Sequence, residues 1–214
     1  REQLLKFDQV NNEQRDVVYE ERRKVLDGLN MRDVIISYAQ DIVDNSIDMV
    51  IPDDLKSSEW DVQELNNTLL PIIPLQPMRL TNEEFAALTK DKLKQLIKEQ
   101  TIKLYEEKEA LFPDPEQLRE AERVVLLKVI DNKWMNHIDD MAQLREGIGL
   151  VSYGQKDPLV EYKTEGYEMF EGMAAAIKED TVRLLFHLQV QQKVEREQAA
   201  EITGTNRDDS TVKA

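Results

Sequence analysis

Cysteine is missing altogether from the 214 residues, and glycine and proline number only 7 each. Without cysteine there is no disulfide framework and no thiolate metal site; a reducing compartment is permitted but not required. So little glycine and proline leaves scant material for the turns of a β-sandwich or barrel, and the abundance of charged, straight-chain residues favours long helices. Long apolar runs are lacking too. The longest, Leu69 to Leu75, is broken by Pro71 and Pro74, far short of the ~18 residues a membrane span needs. Basic residues are outnumbered, 28 against 43 acidic, for a net charge of −15. That balance makes nucleic acid a poor partner, because phosphate binding needs clustered Lys and Arg. The chain opens at Arg1 inside an already helical pattern, with no leader-like segment before it, and so reads as a piece of something longer.

What is present is helical periodicity. From Arg1 to about Asp27 the apolar residues are sparse. Leu4, Val18 and Val25 share one heptad stripe that Asn11 interrupts, which predicts a long helix with a narrow buried face. Such a polar helix needs something to lie on, or stands as a solvated strut. Gly28 and Asn30 punctuate, with Asn30 suited to cap a second helix marked by Val34, Tyr38, Ile42 and Met49 and ended by Pro52. Positions 41 to 64 hold eight acidic residues against one base, Lys56. The region from 52 to 80 carries Pro52, Pro71, Pro74 and Pro77 and reads as irregular, with Trp60 anchoring a small satellite core. Thr81 and Glu84 form a capping box ahead of a stripe through Leu93, Ile97, Leu104 and Leu111.

Two cap-then-proline restarts follow, Asp114-Pro115 and Asp157-Pro158. The helix after the first is predicted to run until Gly147; the helix after the second follows Leu159, Tyr162, Gly166, Met169, Met173, Ile177, Leu184 and Leu188. Joined by a loop at 147–157, they pack most simply as an antiparallel hairpin. That loop lies far from both helix roots, badly placed for a buried active site and well placed to reach another protein.

Catalytic constellations are wanting. There is no G-x-x-x-x-G-K-[ST] phosphate cradle, no H-E-x-x-H and no nucleophile elbow. Of the two histidines, His137 could share a helix face with Asp140 as two metal ligands, but it reads better as a packing histidine. Asp139 and Asp140 are adjacent and diverge by about 100° on a helix, so they make no catalytic pair. Met135, Met141, Met169 and Met173 either fill core gaps between the hairpin helices or offer an adaptable surface for variable apolar segments. Tyr153, flanked by Val151, Ser152, Gln155 and Lys156, either folds back on the hairpin or is an exposed amphipathic contact for a partner chain.

The run V-L-L-K-V-I-D-N-K-W-M-N-H-I-D-D-M-A-Q-L-R-E-G-I-G-L-V-S-Y-G-Q-K-D-P-L-V-E-Y-K-T-E-G-Y-E-M-F and the opening L-L-K-F-D-Q-V-N-N-E-Q-R-D-V-V-Y resemble the C-terminal region of the SecA preprotein translocase family. The resemblance implies an all-α fold: a long scaffold helix, a small irregular helical wing and a long antiparallel two-helix hairpin, the finger. It divides the chain into 1–45 as the first part of the scaffold, 46–114 as the wing, 115–194 as the second part with the finger loop at 147–157, and 195–214 as a flexible tail. It implies that Tyr153, with Leu150, Val151, Gln155 and Lys156, contacts the preprotein and channel, and that Trp134, Ile138 and Met141 transmit regulation of ATP turnover by packing.

The partners implied are the SecY channel, unfolded preprotein and signal peptide, and in cis the motor's nucleotide-binding and preprotein cross-linking domains; the family also admits a homodimer. The location implied is the cytoplasm, peripherally at the cell membrane. ATP and magnesium belong to motor domains outside this piece, which itself is expected to carry no cofactor and to hydrolyse nothing. The family's tip commonly reads I-H-L-R-G-Y where this chain has Ile148-Gly149-Leu150-Val151-Ser152-Tyr153, Gln9 replaces a frequent Asp, and the zinc-binding cysteine tail is absent. From composition alone, a freestanding helical adaptor without a motor, or a helical metalloenzyme, would compete with this reading.

Overall fold

The computed structural model describes residues 1–79, 81–150 and 157–190. Among them the chain is all helical. α1 spans Glu2–Leu26, α2 Arg32–Val50, α3 Val62–Leu69, α4 Asn82–Ala87, α5 Lys90–Ala110, α6 Pro115–Leu150 and α7 Pro158–Phe186, with a 3-10 turn at Ser57–Glu59.

Most boundaries follow from local chemistry. α1 is closed by Gly28, whose φ of 75° only glycine adopts without strain. The Asn30 side chain accepts from Arg32 N–H (2.9 Å) at the start of α2. Asp61 caps α3 through Glu64 N–H, and Thr89 caps α5 through Lys92 N–H. Thr81 and Glu84 form the reciprocal capping box. Asp114 accepts from Glu116 N–H, and Asp157 from Leu159 N–H ahead of Pro158. The proline-rich segment between α3 and α4 is pinned by Asn66, whose side chain accepts from Met78 N–H (3.1 Å) and donates to Met78 C=O (3.4 Å).

α6 and α7 form the antiparallel hairpin. Their pairing runs from Lys133–Asp180 (2.8 Å) outward to the close approach of Met141 and Gly166. At ~1.5 Å per residue the 36 residues of α6 extend ~54 Å. One large core joins the second half of α1, the proximal half of the hairpin, and α2, α3 and α5. α2 and α5 are laced at their edge by Asp44–Lys98 (2.6 Å), Asp48–Lys94 (2.7 Å) and Asp48–Lys90 (2.9 Å).

Several sequence expectations need correction. α6 does not stop at Gly147; it continues through Gly149 to Leu150, because Ile148 is buried in a second apolar cluster and holds the last turn helical. Trp60 anchors no satellite core: it packs into the main one, and the smaller cluster of Val10, Met141, Ile148 and Tyr162 lies instead at the outer hairpin. On α5 the buried line is Leu93, Ile97, Thr101 and Tyr105 at strict i,i+4 spacing, which leaves Leu111 exposed. Leu4 is exposed, whereas Gln14 is buried on α1.

Candidate functional site

The candidate site is the hairpin with the helix that splints it. α1 lies along both hairpin helices. Near the outer end, the Phe7 and Tyr162 rings are 4.9 Å apart, the Tyr162 hydroxyl donates to Asn11 Oδ1 (2.6 Å), and Arg145 pairs with Asp8 (2.9 Å) while its guanidinium sits 5.3 Å from the Phe7 ring. Burial raises the Tyr162 pKa, which keeps the phenol a donor to Asn11. Beyond this clamp Leu150 and Val160 are exposed, at 75% and 58%. The proposed tip residues Val151, Tyr153, Gln155 and Lys156 lie outside the described residues.

At mid-hairpin a buried polar triangle crosses three helices. Gln14 Nε2 on α1 donates to the Gly166 carbonyl on α7 (3.1 Å), and Gln14 Oε1 lies 2.7 Å from His137 Nε2 on α6. The carbonyl can only accept, so the Gln14 amide must present its NH2 there and its oxygen to the imidazole. His137 Nε2 therefore carries a proton. Burial lowers the His137 pKa, favouring the neutral ring. Trp134 stacks on His137 (5.6 Å between centroids) and Phe170 meets it edge-on (5.7 Å). His137 is thus a packing residue, while Asp140, whose charge is felt at the imidazole, is exposed. Among the described residues no group of three or more His, Cys, Asp or Glu is placed to hold a metal ion.

Of the three residues expected to transmit regulation, Met141 is buried beneath Gly166 and Trp134 is half-buried against His137. Ile138 is 48% exposed, because His137 rather than Ile138 takes the inward position on that turn. The methionines divide in the same way: Met141 and Met173 are buried, Met169 packs against the outer cluster, and Met135 is exposed. Along the outer seam of α1 and α6, Tyr19, Leu26, Val124 and Met135 are also about half exposed and line shallow cavities of about 560 and 430 Å³. Arg22 and Asp131 bridge the seam at 2.7 Å.

At the hairpin root a second buried polar cluster fastens α5 to α6. The Tyr105 hydroxyl donates to Glu122, Arg119 Nε lies 2.8 Å from the same carboxylate, and Glu109 receives both Arg119 (2.7 Å) and Arg32 (2.8 Å). Burial pushes the Glu122 pKa up, although Tyr105 and Arg119 oppose that shift. Lys108 reaches the Leu188 carbonyl just past the end of α7. Neither Gln14 nor this cluster was picked out from sequence. The available signal for Gln14 was a polar residue one turn from the interrupted stripe, next to Asn11.

The chain matches the model of the SecA Wing and Scaffold domain over residues 1–189. It is 56% identical over its whole length to the protein translocase subunit SecA of Lachnoclostridium phytofermentans, covering 25% of that protein. It is 42% identical to the protein translocase subunit SecA 1 of Alkaliphilus metalliredigens and 43% to the subunit SecA of Finegoldia magna, over 94% and 95% of the chain and 22% of each relative. The chain thus spans about a quarter of the length of the relatives it matches. By the family match over residues 1–189 and the identity to these relatives over the whole chain, the chain belongs to the SecA wing and scaffold family.

Proposed function

We propose that the chain is the mechanical and preprotein-contacting part of a SecA translocase motor. In this reading the hairpin is a finger whose tip, Tyr153 with Leu150, Val151, Gln155 and Lys156, meets the unfolded preprotein and the mouth of the SecY channel. The observation that carries the reading is the splint: α1 packs on both hairpin helices out to Ile148 and Tyr162, so the finger is a three-helix rod rather than a bare hairpin. A tip at the end of a stiff rod transmits displacement; a soft hairpin would absorb it.

The engine lies in other domains of the parent. Nucleotide-binding domains there hold ATP and magnesium, and they and the preprotein cross-linking domain rest on the exposed apolar seam of α1 and α6. Trp134, Met141 and the half-exposed Ile138 sit where load on that seam reaches the finger. The protein works in the cytoplasm at the membrane face; no helix among the described residues is long and apolar enough to cross a bilayer.

The test is Tyr153→Ala in the full-length translocase, with import of a preprotein into channel-containing vesicles and ATP turnover measured side by side. The reading expects import to drop about tenfold, the equivalent of ~1.4 kcal/mol of lost contact. Import at the unmutated rate contradicts it.

A further inference from the structure

We propose that Gln14 is a positioning residue that fixes the register of α1 against the finger, so that scaffold helix and finger move as one body. The proposal rests on reading the hairpin as a finger.

No other α1 contact ties both hairpin helices at one level: Asn11 accepts from the Tyr162 hydroxyl on α7 alone (2.6 Å) and leaves α6 unengaged. Val10 and Val18 are apolar and indifferent to sliding. The Asp8–Arg145 and Arg22–Asp131 pairs are partly solvated and can exchange with water. Gln14 differs on three counts. It is buried, with 9% exposure. Its amide is committed at both ends, to His137 on one hairpin helix and to the Gly166 carbonyl on the other. Its imidazole partner is held between Trp134 and Phe170 and cannot follow a displaced α1.

A slip of one helical turn, ~5.4 Å, would strand the amide and the imidazole N–H together in an apolar interior. Position 166 takes part as well. A Cβ there would come within 2.8 Å of Met141 Cε, so glycine gives α6 and α7 their close approach at the level of the Gln14 amide, which a Cβ would meet only in ordinary contact at 3.8 Å. Both finger helices are thus tied to the scaffold helix at one level. A push on α1 moves both together instead of shearing one past the other.

The experiment uses full-length translocase freed of reactive cysteines elsewhere. Asp8→Cys with Arg145→Cys reports the native register through a short bifunctional thiol reagent. Leu4→Cys or Asn12→Cys with Arg145→Cys reports a register one turn off. With Gln14 present only the 8–145 pair should link. With Gln14→Leu, close in size but unable to make either bond, an off-register pair should link too, and preprotein moved per ATP hydrolysed should fall about tenfold. Linking 8 to 145 should then restore that ratio in the Gln14→Leu protein and leave it unchanged in the protein that keeps Gln14.

The proposal is overturned by unaltered linking and coupling in Gln14→Leu, by a coupling loss that the 8–145 link does not recover, or by a link that halts the protein that keeps Gln14. Tyr153→Ala separates the two ideas. Normal import by that variant removes the finger reading, while the linking pattern alone still decides whether Gln14 sets the register.

Discussion

The Tyr105 hydroxyl donates to the Glu122 carboxylate at a point where neither residue is exposed to solvent. One residue lies on α5 and the other near the start of α6, so the bond ties these two helices together. Tyr105→Phe leaves a buried carboxylate one donor short, at a cost of about 1–3 kcal/mol in unfolding free energy. Urea titration of the two proteins checks this; equal midpoints and slopes would contradict it.

The same site has a pH signature. Burial raises the folded-state pKa of Glu122 above its ordinary 4.5. In the window that opens at 4.5 and extends upward, the folded state therefore binds more protons than the unfolded state. The stability Glu122 contributes is complete below that window and is lost as pH rises through the folded value. Glu122→Gln, which cannot titrate, should fall further behind the unmutated protein at the acid end of the window than at the alkaline end. Unfolding free energies measured across it check the sign; a gap that widens with rising pH would contradict the assignment.

Gly166 allows a prediction of opposite character. Alanine recovers the ~1 kcal/mol that glycine costs inside a helix. The atom in its way, Met141 Cε, is the far end of a flexible side chain that borders a cavity of about 190 Å³. Gly166→Ala should therefore change stability by less than about 1 kcal/mol, whereas Gly166→Leu overpacks the crossing and should cost about 1–3 kcal/mol. Thermal unfolding of both variants distinguishes this from a site where any side chain is forbidden.

Asp48 bridges Lys94 and Lys90 across the α2–α5 edge, and bonds to those two ammonium groups, Lys94 first, lower its pKa. Because Asp48 is half exposed, Asp48→Asn should cost only about 0.2–1 kcal/mol. The difference should shrink in high salt and disappear as pH falls through the depressed Asp48 value. A cost indifferent to salt would place its origin in packing rather than charge.

Features set by neighbours in sequence were legible: the caps at Asn30, Thr81, Asp114 and Asp157, the helical class and the antiparallel return. Features set by distant partners were not. Gly147 and Gly149 signalled a helix end by propensity, and burial of Ile148 overrode them. His137 was legible as a packing histidine, but its partner was not: Gln14, 123 positions away, supplies the acceptor its Nε2–H needs. Thr101 and Tyr105 were passed over in favour of Leu104 and Leu111. A buried hydroxyl is acceptable only where a partner exists, and Tyr105 finds one in Glu122 while Thr101 donates to the Ile97 carbonyl.

The finger reading is tested most directly by a photoreactive residue in place of Tyr153, in full-length translocase halted with a preprotein partway through the channel. Illumination should yield an adduct between position 153 and the preprotein, and a probe at Tyr19 on the scaffold seam should yield none. Labelling of the preprotein from Tyr19 but not from position 153 would contradict the claim that this hairpin end touches the moving chain.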